Sequence, residues 1–255
     1  MPLLSTVGAG SINGFKSGSI GLYPFTTYTF TSAKTPPVGA GSFYVGTYIG
    51  DGQKLIVPRT GTYHFKTVSI SGAYVRPIIE CDYTLIQGDI LMAVIGTFAP
   101  TTYSNGYGGD MTGIAVYRST PGIWGNYEPI VVSGGGGSSG SIGTIVTSAT
   151  AITSYGAGGV DGDSGASWTT RSYPRNGGYG FAGYPFIMGY GGGGCAGQDG
   201  DGDGATGGGG GYSSGHGGTS YGNPGSSCYN VNATNVNIAN TEATSNPYVV
   251  MTFLS

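Results

Sequence analysis

Residues 191–218 read "GGGGCAGQDGDGDGATGGGGGYSSGHGG", with glycine at more than half of the positions. No residue loses more conformational freedom on folding than glycine. Such a run therefore has two structural outcomes: an unstructured tether, or an architecture that only a chain without side chains can build. Of the 54 glycines in the 255-residue chain, most lie between Gly134 and Gly225. Tethers are rich in Gly and Ser, but this region also carries Tyr155, Trp168, Tyr173, Tyr212 and Tyr221 among other aromatics. Aromatic rings bury large apolar areas, and a structureless loop of roughly 90 residues runs against the usual length of connections in a compact domain. The alternative is a set of extended helices of the polyproline II type, which have no internal hydrogen bonds. Without Cβ atoms, several can lie side by side and satisfy their N–H and C=O groups laterally. Residues 134–227 are accordingly expected to form an inserted lobe, a bundle of polyglycine II helices.

The flanking sequence has a β texture. Between Leu22 and Ser133, runs such as "LYPFTTYTFT", "GTYHFKTVSI", "DILMAVIG" and "EPIVVS" are rich in Val, Ile, Thr, Tyr and Phe, with Gly, Pro, Asn and Asp between them. "TYHFKTV" alternates, placing Tyr63 and Phe65 on one face and His64 and Lys66 on the other. "VPRTG" and "IQGD" are tight turns in which Gly61 and Gly88 supply positive φ. No segment has a helical period, and strand character returns in the closing "YVVMTFL". The expected fold class is all-β: a sandwich or jelly roll built from residues 21–133 and 228–255, with little or no α-helix. Residues 1–20 are small and polar; they read either as an extended arm that attaches the chain to a partner or as a frayed terminus.

Charge narrows the partners. Only 8% of residues are charged and the net charge is -3. The Lys and Arg residues form no run, so nucleic acid, whose binding needs cations against phosphates, is not an expected partner. No apolar run approaches the roughly 18 residues of a membrane span. "MPLLSTVGAGSINGFK" lacks a basic n-region and an apolar core, so no signal peptide is expected and synthesis in the cytoplasm is. Of the three cysteines, Cys195 and Cys228 bracket the glycine-dense stretch. They read either as one clasp in an extracellular protein or, with Cys81, as unpaired buried thiols.

Several ordered motifs resemble a known family: "TYTFTSA", "QKLIVPRTGTYHFKTVSISGA", "LIQGDILMAVIG", "PIVVSGGGGSSG" and "GGGGGYSSG". Together, over roughly residues 26–254, they are similar to the glycine-rich domain of the anaplastic lymphoma kinase and leukocyte tyrosine kinase receptors. The resemblance implies a tumour-necrosis-factor-like jelly roll with glycine helices inserted between strands, and threefold assembly into a homotrimer. Lys54 stands where the family pattern has tryptophan, and "SISGAYV" lacks a second glycine cluster. The receptors' ligand-binding residues are therefore not carried over. The glycine-rich stretch also resembles the tip adhesins of some bacteriophage long tail fibres, and "LLSTVGAGSINGF" is similar to small phage virion proteins.

The candidate sites follow. Asp199, Asp201 and Asp203 begin like a calcium loop with glycine at the sixth position, but the twelfth is Gly210, which offers no bidentate carboxylate. They form either a weak Ca2+ site or a solvated turn; no other cofactor is expected. His64 and His216 have no metal-ligand spacing and no nucleophile elbow appears, so enzyme activity is not expected. Small residues alternating with rings in "PRNGGYGFAGYPFIMGY" read partly as packing for the glycine helices and partly as a contact surface of low ordering cost, with Tyr179, Phe181, Tyr184, Phe186 and Tyr190 as its members. Tyr103, Tyr107, Trp124 and Tyr127 belong to similar loops of the β part. The expected function is that of a virion tail-fibre or tip adhesin, assembled in the host cytoplasm and then extracellular. It would bind other virion proteins through its arm and a host cell-surface glycan or protein through its lobe. The alternatives are a capsid, neck or tail decoration protein and a secreted calcium-dependent glycan binder.

Overall fold

Alternating sequence becomes alternating burial wherever a strand has one wet face. The computed structural model describes residues 26–31, 44–47, 52–69, 76–96, 111–122, 125–135, 143–149, 211–212, 224–241 and 246–255. In chain order these form β1 (Thr27–Thr31), β2 (Tyr44–Thr47), β3 (Gly52–Ile56), β4 (Gly61–Val68), β5 (Arg76–Leu85), β6 (Ile90–Val94), β7 (Thr112–Gly122), β8 (Gly125–Ser133), β9 (Ile145–Thr147), β10 (Ser227–Tyr229), β11 (Thr234–Thr241) and β12 (Tyr248–Phe253). There is no helix among the described residues, and so none there long and apolar enough to cross a membrane.

The strands make two sheets. One has the order β1-β12-β4-β5-β11 and is antiparallel throughout; the other has the order β2-β3-β6-β7-β8-β10-β9 and is antiparallel except for the parallel β10–β9 pair. The chain passes back and forth between them, as a jelly roll requires, and β12 closes the first sheet between β1 and β4. In β4, Tyr63 and Phe65 are wholly buried while His64 and Lys66 lie outside, as the alternation predicts. Tyr28, Phe30, Ile79, Cys81, Val249 and Met251 from the first sheet meet Leu55, Leu91, Ala93, Ile114 and Val116 from the second in one core. This is a β-sandwich, and the all-β class read from the sequence holds for it.

Both predicted turn glycines have positive φ, 156° at Gly61 and 93° at Gly88. Gly88 closes the β5–β6 turn, where Asp89 N–H donates to Ile86 O at 3.0 Å and Gly88 N–H to Val57 O at 2.9 Å. Gly61 is constrained from a second side: a Cβ there would overlap the Ser255 carbonyl.

The middle of the seven-stranded sheet, around β6, is buried on both faces. Leu91, Ala93 and Ile95 point into the main core, while Met92 and Val94 join Met111, Ala115, Tyr127, Val132, Tyr212 and Cys228 in a second cluster behind the sheet. The continuous apolar run "ILMAV" suits such a strand. Tyr212, at 0% exposure, is the member contributed by the glycine-rich region. That region therefore lies against the back of the sandwich at this point.

Candidate functional site

The root of the glycine-rich region is where the most unusual chemistry of the sequence meets the sheet. Ser133 ends β8, Gly134 and Gly135 follow it, and the chain returns through Gly143 and Thr144 to form β9 beside β10. Gly211 and Tyr212 approach from a third direction. All three segments converge on Gly225 and Ser226. Gly225 N–H donates to Gly135 O at 3.0 Å, Tyr212 N–H to Ser226 O at 2.9 Å and Ser227 N–H to Thr144 O at 2.8 Å. Gly134 N–H donates to Ser227 Oγ at 3.0 Å.

This convergence leaves no room for side chains. A Cβ on Gly134 or Gly143 would overlap the Gly225 carbonyl oxygen and lie 2.7 Å or 2.6 Å from its carbon. One on Gly211 would overlap Ser226 O and lie 2.6 Å from Ser226 N. Contacts that short do not occur, and here the opposing atoms are backbone that cannot swing aside. At its root, then, the region consists of chain segments bonded to one another through their backbones, with glycine at Gly134, Gly143 and Gly211 where a Cβ would not fit. The polyglycine helices expected deeper in the lobe lie outside the described residues.

Around the root the polar groups are accounted for. Ser148 is wholly buried; its N–H donates to Tyr229 O at 2.9 Å and its hydroxyl accepts from Val231 N–H at 3.0 Å. Tyr212 donates its hydroxyl to Ser148 O at 3.4 Å, and burial pushes that phenol's pKa up. Cys228 and Cys81 are both buried free thiols. Burial raises both thiols, Cys81 to about 12, which leaves them protonated and unreactive at neutral pH. Cys195 lies outside the described residues.

Of the nine aromatic candidates, Tyr127 is described, and its placement corrects the expectation. It does not stand in a loop: it is a β8 residue, 6% exposed, packed in the cluster behind the sheet. β8 begins at Gly125 and so takes in part of the stretch read as a loop, and this ring is covered. Opposite it on β7, Tyr117 meets its edge at 5.4 Å between centroids and is 41% exposed. Tyr117 is an exposed ring of β7 outside the loop candidates. Tyr103, Tyr107, Trp124, Tyr179, Phe181, Tyr184, Phe186, Tyr190, Asp199, Asp201, Asp203 and His216 lie outside the described residues. Among the described residues no group of three or more His, Cys, Asp or Glu is placed to hold a metal ion.

The outer face of the five-stranded sheet carries two polar rungs. In one, His64 Nδ1 lies 2.7 Å from Asp82 Oδ1, and Asn235 donates to Asp82 Oδ2 at 2.7 Å. In the next, Lys66 Nζ lies 2.7 Å from Glu80 Oε1, and Asn237 donates to Glu80 Oε2 at 3.2 Å. Asn235 reaches Asp82 from a left-handed conformation, φ 50°, that Asn tolerates better than most residues. These contacts set a pH dependence. Burial pushes the Asp82 carboxyl up, but the hydrogen bonds from Asn235 and His64 outweigh it and hold the group below the usual range. Hydrogen bonds from Lys66 and then Asn237 do the same for Glu80. A carboxyl whose folded pKa is depressed contributes stability above its unfolded value, about 4, and loses it as pH falls through the folded value. Denaturant unfolding at stepped pH should therefore show a decline beginning near pH 5 and deepening toward pH 3. Asp82→Asn should make that decline shallower; an unchanged acid slope in the variant would remove Asp82 as a cause.

A third polar group sits inside one end of the sandwich. Arg118 donates from Nε to Glu128 Oε2 at 2.8 Å and from a terminal nitrogen to Tyr83 Oη at 3.3 Å, with Asp89 Oδ1 at 3.5 Å. Asn230 donates to Glu128 Oε1 at 2.9 Å. Tyr83 belongs to one sheet and Arg118 to the other, so the guanidinium ties the layers together. Its donors are directed to protein acceptors within the chain, which marks it as a structural clamp. Compared with known proteins, the chain matches no family and no curated relative.

Proposed function

We propose that this chain is a non-enzymatic binding protein of a bacteriophage virion, a tail-fibre or tip adhesin. In this reading the sandwich is a scaffold, and the glycine-rich lobe carries aromatic loops to a receptor on the host surface. The observation that supports it is the root at Gly225 and Ser226. A region hydrogen-bonded and close-packed against the sheet from three directions is held as an extension of the scaffold. A flexible tether would have to order its binding groups at the moment of contact, which weakens association; a held lobe presents them already placed. Rings set among glycines and serines give a rigid, amphipathic surface of the kind used by antibody loops, and the low charge of the chain suits recognition through stacking and hydrogen bonds over recognition through ion pairs.

The test uses the full chain and a variant lacking residues 160–205, which leaves the root intact. The full chain should adsorb to host cells and compete with infection by the particle. The shortened chain should unfold at nearly the same temperature and lose at least about tenfold in adsorption, the equivalent of about 1.4 kcal/mol. Adsorption retained in the shortened chain rejects the lobe as the receptor surface. No adsorption by the full chain, with particles that lack it losing heat resistance, identifies a decoration protein. Adsorption abolished by a calcium chelator and restored by added calcium identifies a calcium-dependent binder.

A further inference from the structure

We infer that the β11 edge is a self-association surface, on which a second copy of this chain adds its own β11 in antiparallel fashion. β11 is the last strand of its sheet, with β5 as its one partner among the described strands. Thr234, Asn235, Asn237, Ile238, Ala239 and Asn240 are all exposed, while Val236 packs against the core. Ile238 in particular is 41% exposed, although its partner Ile79 is wholly buried.

Soluble sheets guard such edges with lysine, proline, inward charges or bulges. The strand "TNVNIANT" has no charged residue and no proline. It has one bulge, between Thr234 and Asn237, after which pairing with β5 is regular through Thr241. The guard therefore covers the first half of the strand and leaves Asn237 to Thr241 open. That segment is as long as β1, whose five paired rungs with β12 hold the opposite edge of the same sheet.

The occupant follows from chemistry. A twofold axis across an antiparallel edge sets each residue against residues of an identical strand. Charged edges repel themselves in that arrangement, whereas asparagine carries both a donor and an acceptor on one amide. Asn240 is thus complementary to an identical strand, and Ile238 gains an apolar surface to pack against; the Asn237 donor is already given to Glu80. An acidic or basic partner would find no opposite charge on this strand.

Light scattering after size-exclusion chromatography, over a concentration series of the full chain, tests the proposal. The wild-type chain should approach twice its 25.6 kDa mass as concentration rises. Ile238→Lys and Asn240→Lys place like charges across the axis on exposed positions; each should weaken association by roughly tenfold or more while leaving the unfolding midpoint nearly unchanged. Thr29→Lys, exposed on the opposite edge strand, should leave association as in the wild type. A single-chain mass at all concentrations would overturn the proposal. So would a mass of three or more chains, or a dimer indifferent to both β11 variants or dissociated by Thr29→Lys.

Discussion

Gly143→Ala is expected to destabilise the protein by about 3 kcal/mol, the upper end of what overpacking costs. It should also release the glycine-rich region from the back of the sheet. An alanine Cβ at this position would overlap the Gly225 carbonyl oxygen and approach its carbon to 2.6 Å and Ser226 N to 3.0 Å. Those atoms are fixed in turn by the bonds from Gly225 N–H to Gly135 O and from Ser227 N–H to Thr144 O. Relief therefore requires that one segment leave the junction. Gly88→Ala is the contrasting case. Its φ of 93° strains any L side chain, but nothing lies within 4 Å of the added methyl; about 1–2 kcal/mol is expected from backbone conformation alone. Hydrogen exchange separates the two. In Gly143→Ala the amides of Tyr212, Gly225 and Ser227 should lose the most protection, while those of β4 and β5 speed up no more than the global loss of stability requires. Gly88→Ala should leave the root amides protected. Equal unfolding curves for Gly143→Ala and the wild type would mean that the junction is not closely packed.

The same contrast explains how far the sequence could be read. Local periodicity made β4 legible down to the direction of Tyr63, Phe65, His64 and Lys66, because a strand with one wet face writes its alternation into neighbouring residues. The apolar run of β6 marked a strand covered on both sides but could not say by what, since the cover comes from residues as distant in sequence as Tyr212 and Cys228. The glycine content predicted bare segments packed side by side; the root requires glycine at Gly134, Gly143 and Gly211, and the helices of the bundle lie outside the described residues. Which segments meet there depends on the parallel β9–β10 pair, and no local pattern announces a three-residue strand. Tyr127 was misplaced because a ring among small residues was read as a loop contact, whereas the depth of a ring in a hairpin is set by what lies behind the sheet. The polar network at the sandwich end was invisible for a related reason. Arg118 meets partners 10, 29 and 35 residues away, and Asn230 reaches Glu128 across 102 residues.

That network carries the other large expected effect. Arg118→Met should cost about 1.5–3 kcal/mol, the range for hydrogen bonds to charged groups, because the Arg118 side chain is 33% exposed and the pair is part-buried. The Glu128 side chain is 11% exposed and takes its shortest hydrogen bond, 2.8 Å, from Arg118. Methionine fills much of the volume but donates nothing, so Glu128 would keep Asn230 as its charge-stabilising donor in a site with little access to water. Tyr83 would lose its link to the opposite sheet as well. The cost should come from the stranded carboxylate more than from the lost attraction, and a double-mutant cycle distinguishes these. Glu128→Gln alone removes the charge but keeps an acceptor for Asn230. Combined with Arg118→Met it should recover roughly 1–2 kcal/mol relative to Arg118→Met by itself, because no unpaired charge remains buried. Urea unfolding of the four proteins at pH 7 measures the coupling. A coupling below about 0.5 kcal/mol, the level found for independent sites, would show that the two side chains act separately and that the sheets are held together at this end by apolar packing alone.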